Sequence, residues 1–150
     1  MSELTFKIEY LPFAPKELED YIKALKGIKE MKTNLDTDEI YIKYEPKLIS
    51  IKIIVMEIKL FLSLTNTPSI IAFNKYSEKE IVRTTLDIGD GCCEYCLKGF
   101  IEDLILINGI EEATADYENC DFFNVSVEVS YDKSIFNDIT IKELVVKYYN

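Results

Sequence analysis

An internal repeat constrains the fold of this chain more than any other feature of its sequence. A segment with the alternating hydrophobic residues of a strand is followed by one with the hydrophobic spacing of a helix. This order begins near residue 4 and again near residue 82. In the first copy the strand is carried by Leu4, Phe6, Ile8 and Tyr10, and the helix by Leu18, Ile22 and Leu25. Pro15 suits the first turn of this helix, and Gly27 suits its left-handed end.

The rest of the first copy completes a pattern of six elements. Residues 28–35 and 39–44 flank the polar residues 36–38 and predict a hairpin. Hydrophobic residues at helical spacing from about 48 to 64 predict a second helix, and residues 70–73 predict a last strand. The resulting order is βαββαβ.

The second copy repeats this order after a charged linker at residues 77–80. Its first helix carries Phe100, Leu104 and Ile107 and ends at Gly109, and each of these residues follows its counterpart by 82 positions. The next hairpin is longer than in the first copy, so the residues of its second strand follow their counterparts in the first copy by 87 positions. The whole chain is therefore covered by the repeat.

The second copy stops after its second helix, for which Thr140 and Glu143 form a predicted capping box. By the spacing of the first copy, the last strand would lie beyond Asn150. We therefore predict an α+β fold of two tandem ferredoxin-like βαββαβ units, residues 1–76 and 78–150, with the second lacking its last strand.

Composition narrows the classes of function. A chain with 48% hydrophobic residues, 5 Gly and 4 Pro has enough apolar surface for a core and is not of the disordered class. Because no His occurs, His general bases, Ser-His-Asp triads, His zinc sites and haem attachment are excluded. No signal-peptide pattern and no run of about 18 apolar residues is present, so we expect a cytoplasmic protein.

The net charge and the cysteines are confined to the second half. Residues 1–75 are balanced in charge, and residues 76–150 carry all of the formal charge of −10. This acidic surface favours a protein partner with a basic surface and disfavours nucleic acid. All four cysteines, Cys92, Cys93, Cys96 and Cys120, lie in the same half. In a reducing compartment, three cysteines within five residues indicate metal or redox chemistry before a disulfide scaffold.

Three of these cysteines lie where a strand is followed by the start of a helix. Unpaired N–H groups and the dipole at a helix start stabilise the thiolate form, which is the form that binds metal. Cys93 and Cys96, two residues apart, are the candidate primary ligands, and Cys92 supplies a third sulfur. Soft thiolates bind both Cu(I) and Zn(II), so the residue types leave the metal open. Cys120 lies in the second hairpin, at the same predicted end of the sheet, and is a conditional ligand.

The arrangement resembles the heavy-metal-associated domain of copper chaperones and P-type metal ATPases. Cys93-x-x-Cys96 at the helix start, followed at the family's spacing by Gly109-Ile110, carries the resemblance. It implies binding of one Cu(I) or Zn(II) ion and a metal-transporting ATPase or other thiolate acceptor as partner. In the first unit Leu11 and Ala14 occupy the two cysteine positions, so that unit is a degenerate copy.

The resemblance implies a metallochaperone or the regulatory head of a transporter. Because transfer of a metal ion between thiolate sites needs no enzyme active site, we expect no enzymatic activity. Two alternatives stay open: a protein-interaction module with a vestigial metal site, and a thiol-disulfide redox protein, because C-x-x-C at a helix start also occurs in thioredoxin-like proteins. The absent strand would leave the strand at residues 82–88 at an edge. We expect the first unit to cover that edge in a monomer, and a symmetric dimer is the alternative.

Overall fold

The computed structural model describes residues 1–9, 15–62, 69–76, 79–89, 94–115, 117 and 125–149, which form seven strands and four helices. Along the first half these are β1 (Ser2–Ile8), α1 (Pro15–Lys23), β2 (Ile28–Asn34), β3 (Glu39–Tyr44), α2 (Ile51–Leu62) and β4 (Ile70–Tyr76). Along the second half they are β5 (Ile81–Gly89), α3 (Glu94–Ile105), β6 (Ile110–Ala115), β7 (Val125–Asp132) and α4 (Asp138–Tyr149). None of the helices in the described residues is long and apolar enough to cross a membrane.

The strands form one antiparallel sheet in the order β2-β3-β1-β4-β6-β7-β5. Within the first half the order is β2-β3-β1-β4, and the second half repeats its first three positions as β6-β7-β5. The two halves meet where β4 pairs with β6, with Phe73 opposite Ala113. On its other side Phe73 is opposite Phe6 of β1. The sheet is therefore continuous through both halves of the chain.

The side chains buried beneath the helices form one core that includes residues of both halves. Alternation in β1 places Leu4, Phe6 and Ile8 in this core, as the period-2 pattern predicts. Helix α1 packs against β2 and α2, whereas α3 packs against β4 as well as against β6. Helix α3 therefore spans the junction between the halves and buries apolar surface of both.

Two glycines end the first helical segment of each half in the same way, as the repeat predicts. Gly27 has φ 101° and Gly109 has φ 99°, which L-residues with a Cβ rarely adopt. The carbonyl of Gly27 accepts a hydrogen bond from the N–H of Glu45, and that of Gly109 accepts one from Asp132, both at 2.8 Å. This bond ties the start of the second strand of each half to the end of the third.

The predicted capping box at Thr140 and Glu143 is wrong. Helix α4 begins at Asp138, and the preceding Asn137 caps it: its Oδ1 accepts hydrogen bonds from the N–H groups of Ile139 (3.0 Å) and Thr140 (2.9 Å). An Asn side chain satisfies these unpaired first-turn donors as well as Ser or Thr does, so the helix starts three residues earlier than the box predicts. Thr140 contributes from inside the helix, where its Oγ1 accepts from the N–H of Asn137.

The expectation that the first half covers the edge of β5 is also wrong. The first half joins the second through β4 and β6, and β5 is the last strand of the sheet on that side. Four residues separate β4 from β5, and they span the roughly 14 Å that three strand spacings require. Pairing at β6 is stabilised by α3, which packs over both β4 and β6.

Candidate metal centre

The structure places one of the four candidate ligands in a secondary-structure element. Cys96 lies in the first turn of α3, although its side chain lies outside what the structure describes. Cys92, Cys93 and Cys120 fall in residues 90–93 and 118–124, which are also outside the described residues. Among the residues that are described, no group of three or more Cys, Asp or Glu side chains is arranged to hold a metal ion. The ligand set therefore stays a prediction.

The described strand ends show where the two cysteine-bearing connections leave the sheet. β5 and β6 both pair antiparallel with β7, so they run in the same direction and end at the same edge. Gly89, the last residue of β5, is opposite Val125, the first residue of β7. Facing Cα atoms in such a pair lie about 5 Å apart. The connection with Cys92 and Cys93 therefore starts beside the end of the connection with Cys120.

The first half also contributes to this end of the sheet. We call it the loop edge, meaning the end of the sheet at which the strands β1, β5 and β6 end, as distinct from the side of an outermost strand. β1 runs in the direction of β6 because both pair antiparallel with β4. Ile8, the last residue of β1, is opposite Ile70, the first residue of β4. The connection that carries Leu11 and Ala14 therefore leaves from the loop edge as well. The connections that hold Leu11 and Ala14 and that hold Cys92 and Cys93 therefore start at the same end of the sheet.

A buried ion pair holds the start of α3 against the end of β1. The Nζ of Lys98 lies 2.5 Å from Oε1 of Glu9, and Lys98 is only 5% exposed. Lys98 follows Cys96 by two residues, and Glu9 directly follows β1. An ion pair with a buried lysine costs stability when one partner is removed, so this contact positions the cysteine-bearing helix relative to the first half. Sequence periodicity misses it, because a lysine next to the buried Leu97 gives no sign of its partner 89 positions away.

Glu102, one turn further along α3, links three elements. Its carboxylate accepts a hydrogen bond from Lys59 of α2 at 2.7 Å and another from the N–H of Ile70 at 2.9 Å. The bond to Ile70 occupies the first backbone donor of β4 at the loop edge. With the pair of Lys98 and Glu9, it fixes α3 to the first half at two points.

The end of the sheet opposite the loop edge holds a groove of about 1320 Å³ between the halves. Lys75 lies in its wall and donates a hydrogen bond from Nζ to the carbonyl of Ile107 at 3.1 Å. Burial lowers the pKa of Lys75 to about 8, while the nearby Glu111 carboxylate opposes that shift. Burial also raises the pKa of Tyr44, which lines the same groove. This groove lies at the far end of the strands from the cysteine connections.

The solved structures that are similar to this chain include the following three. The N-terminal soluble domains of CopA from Bacillus subtilis match with a TM-score of 0.42 and 18% identity, over 97% of this chain and 86% of that one. The water-soluble region of the P-type ATPase CopA from Bacillus subtilis matches with a TM-score of 0.38 and 18% identity, over 97% and 85%. The N-terminal extension of CzcP from Cupriavidus metallidurans matches with a TM-score of 0.35 and 15% identity, over 97% and 95%.

No known protein family matches the sequence of this chain, and no curated protein matches it. At these TM-scores and identities, the structural similarity does not indicate what this chain binds. That question depends on its own residues.

Proposed function

We propose that this chain binds one thiophilic metal ion, Cu(I) or Zn(II), as cargo and passes it to a metal-transporting ATPase or another thiolate acceptor. In this proposal Cys93 and Cys96 are the primary ligands, Cys92 is an auxiliary ligand, and Cys120 is a conditional ligand. The ligands belong to the second of two tandem ferredoxin-like units. The first unit, with Leu11 and Ala14 in the cysteine positions, serves as a structural support.

The observation that carries the proposal is the convergence of chain ends at the loop edge. Gly89 and Val125 face each other in the sheet, so the connections that hold three of the cysteines begin and end on adjacent strands. Cys96 follows in the first turn of α3, where unpaired N–H groups stabilise a thiolate. A Cys-Cys-x-x-Cys segment supplies three sulfurs within five residues, a donor set suited to a soft cation.

Transfer of the ion needs no catalytic group. A thiolate of the acceptor binds the ion while one ligand of this chain leaves, and the exchange is repeated until the ion has changed proteins. Each step replaces one metal–sulfur bond by another, so no electron is transferred. A loop with a spare sulfur, Cys92, favours such exchange, because a departing ligand can be replaced before the ion is lost. We place this function in the cytoplasm, where thiols stay reduced.

The acidic second half favours an acceptor with a basic surface. The charge of −10 in residues 76–150 speeds the encounter with such a surface, and salt screens the effect beyond about 10 Å at 0.1 M. We therefore expect the rate of metal transfer to fall as salt is raised. An unchanged rate would mean that the charge only keeps the protein in solution.

The test is a metal titration of the full reduced chain, with Cu(I) and Zn(II) in separate experiments and a chromophoric chelator as competitor. We expect one ion per chain and loss of binding in Cys93→Ser and Cys96→Ser. Cys120→Ser is the matched variant: an unchanged affinity would remove Cys120 from the ligand set without affecting the proposal.

Two outcomes would contradict metal transfer. A fully reduced chain that retains neither ion would favour the interaction module with a vestigial site. Reversible oxidation of Cys93 and Cys96 to a disulfide at a cytosolic potential, together with reduction of a protein disulfide by the chain, would favour the redox protein.

A further inference from the structure

We propose that β5 is a dimerisation edge, at which two copies of this chain pair antiparallel about a two-fold axis at Thr85. The partner is a second copy of the chain, and the joined sheet would have fourteen strands. The proposal concerns the assembly of the molecule and holds whether or not the cysteines bind metal.

The first observation is that β5 is long and open on its outer side. Its nine residues pair with β7 from Ile81 opposite Asp132 to Gly89 opposite Val125. On the other side no strand pairs with it among the residues that the structure describes. The backbone N–H and C=O groups along the outer side of a strand of this length are a template for another strand.

The other edge of the sheet differs from β5. β2 has a register shift between Ile28 and Glu30, which makes Lys29 a bulged residue, and it is rich in charge through Lys29, Glu30 and Lys32. Bulges and lysines are the usual means by which an edge avoids pairing. β5 also has a register shift, between Asp87 and Gly89, but it lies at the end of the strand, and the seven residues from Ile81 to Asp87 keep a regular register with β7, against five in β2 from Glu30 to Asn34. The contrast selects β5 as the edge open to a partner.

The second observation is that β5 is complementary to itself in charge. In an antiparallel pair centred on Thr85, Arg83 faces Asp87 of the second copy, and Asp87 faces Arg83 of the second copy. Both residues are exposed and alternate with Leu86, which is buried on the helix side. They therefore lie on the face of the sheet that the helices leave open, where one pair forms on each side of Thr85.

Neighbouring registers lose these pairs. Centring the pair on Thr84 places Arg83 opposite Thr85, and centring it on Leu86 places Asp87 opposite Thr85. Shifts by a single residue would put side chains of opposite faces against each other. The charges thus favour the register centred on Thr85. They also favour a second copy of the chain as partner, because β5 itself provides both the Arg and the Asp of each pair.

Arg83 can take part without giving up its present contact. Its Nη2 lies 3.0 Å from Oε2 of Glu112, two strands away across Ser130, and its side chain is 67% exposed. A guanidinium has five N–H donors, so one carboxylate leaves donors for a second. Asp87 also has an interaction within its own chain, and the two oxygens of its carboxylate can accept several hydrogen bonds. The net charge of the two second halves opposes association at long range, and the facing Arg83 and Asp87 side chains oppose that repulsion at the contact.

The experiment is sedimentation velocity on the full, reduced, metal-free chain over a roughly hundredfold dilution series. We expect a monomer–dimer equilibrium. Arg83→Glu and Asp87→Arg each place like charges opposite one another twice, and each should weaken dimerisation about tenfold or more. An equimolar mixture of the two variants should dimerise again, because every facing pair is then of opposite sign. The double variant R83E/D87R should dimerise alone for the same reason.

Lys32→Glu, a charge reversal on the opposite edge strand, is the matched control and should leave the equilibrium unchanged. Far-UV circular dichroism verifies that each variant is folded. A wild-type chain that is monomeric throughout the series would overturn the proposal. So would a dimer that neither reversal weakens, or folded single variants that stay monomeric when they are mixed.

Discussion

The two halves of this chain use the same local devices and differ in how their sheets are completed. Gly27 and Gly109, 82 residues apart, both have φ near 100° and close the same turn. Ser50 and Asn137, 87 residues apart, cap the second helix of each half. The first half then adds β4 beside β1, whereas β5, the counterpart of β1, has no strand on that side among the described residues.

This difference shows that one strand can pair with strands of both halves of the chain. β4 completes the first sheet by pairing with β1, and its outer side pairs with β6 of the second half. Helix α3 packs on β4 and β6, so part of the second half's core rests on a strand of the first. We therefore expect the halves to unfold as one cooperative unit.

The largest expected effect concerns Phe73, which is 3% exposed and lies between Phe6 and Ala113 in the sheet. Phe73→Ala should lower the free energy of unfolding by about 3–5 kcal/mol, through lost burial and the cavity left behind. Native-state hydrogen exchange read by mass spectrometry should show reduced protection in both halves. Tyr76→Ala, at the half-exposed end of the same strand, is the control and should cost about 1 kcal/mol or less. Loss of protection in residues 1–76 alone would mean that the halves unfold separately.

The next effect compares the equivalent glycines. A Cβ at Gly109 would lie 2.7 Å from Cε2 of Phe136, and one at Gly27 would lie 2.8 Å from Cγ2 of Ile49. Positive φ adds backbone strain, so Gly109→Ala and Gly27→Ala should each cost about 2–4 kcal/mol in urea unfolding. Gly99, inside α3, has no atom within 4 Å of its added Cβ. Gly99→Ala should therefore stabilise the protein by roughly 0.5–1 kcal/mol. A large difference between the two destabilised variants would show that the repeat is not equivalent in energy.

The smallest effect compares the two helix caps. Asn137 Oδ1 accepts two backbone hydrogen bonds, at 3.0 and 2.9 Å, whereas Ser50 Oγ accepts one from Ile53 at 3.3 Å. Asn137→Ala should therefore cost about 1 kcal/mol and Ser50→Ala about half as much in thermal or urea unfolding. Equal costs would indicate that the number of accepted bonds does not decide the strength of these caps.

Much of the fold follows from local patterns in the sequence. The alternation of Leu4, Phe6 and Ile8 places β1, and Gly27 and Gly109 mark the ends of two helical segments. The predicted second helix began near residue 48, but α2 begins at Ile51, because Ser50 caps it. Such errors of a few residues arise where several polar side chains compete to cap one helix.

The candidate site also has features that the sequence predicts and features that it does not. The Cys-Cys-x-x-Cys segment and its place before a helix are readable from spacing, and the structure agrees that α3 begins at Glu94. The buried pair of Lys98 and Glu9 was not predictable, because neither residue's neighbours indicate which distant charge it meets. The identity of the ligands remains a prediction from residue types, with Cys92, Cys93 and Cys120 outside the described residues.

The sequence by itself determined which segments become strands and helices and, to within a few residues, where they begin and end, because alternation, helical spacing, glycine and capping residues act within a few positions of one another. The tertiary structure alone decided that β4 pairs with β6 and that β5 stays at the edge. Backbone N–H and C=O groups are the same in every strand, so an open edge accepts any strand of suitable direction. The choice depended on which pairing also buried α3 over both halves, and that packing involves residues far apart in the chain.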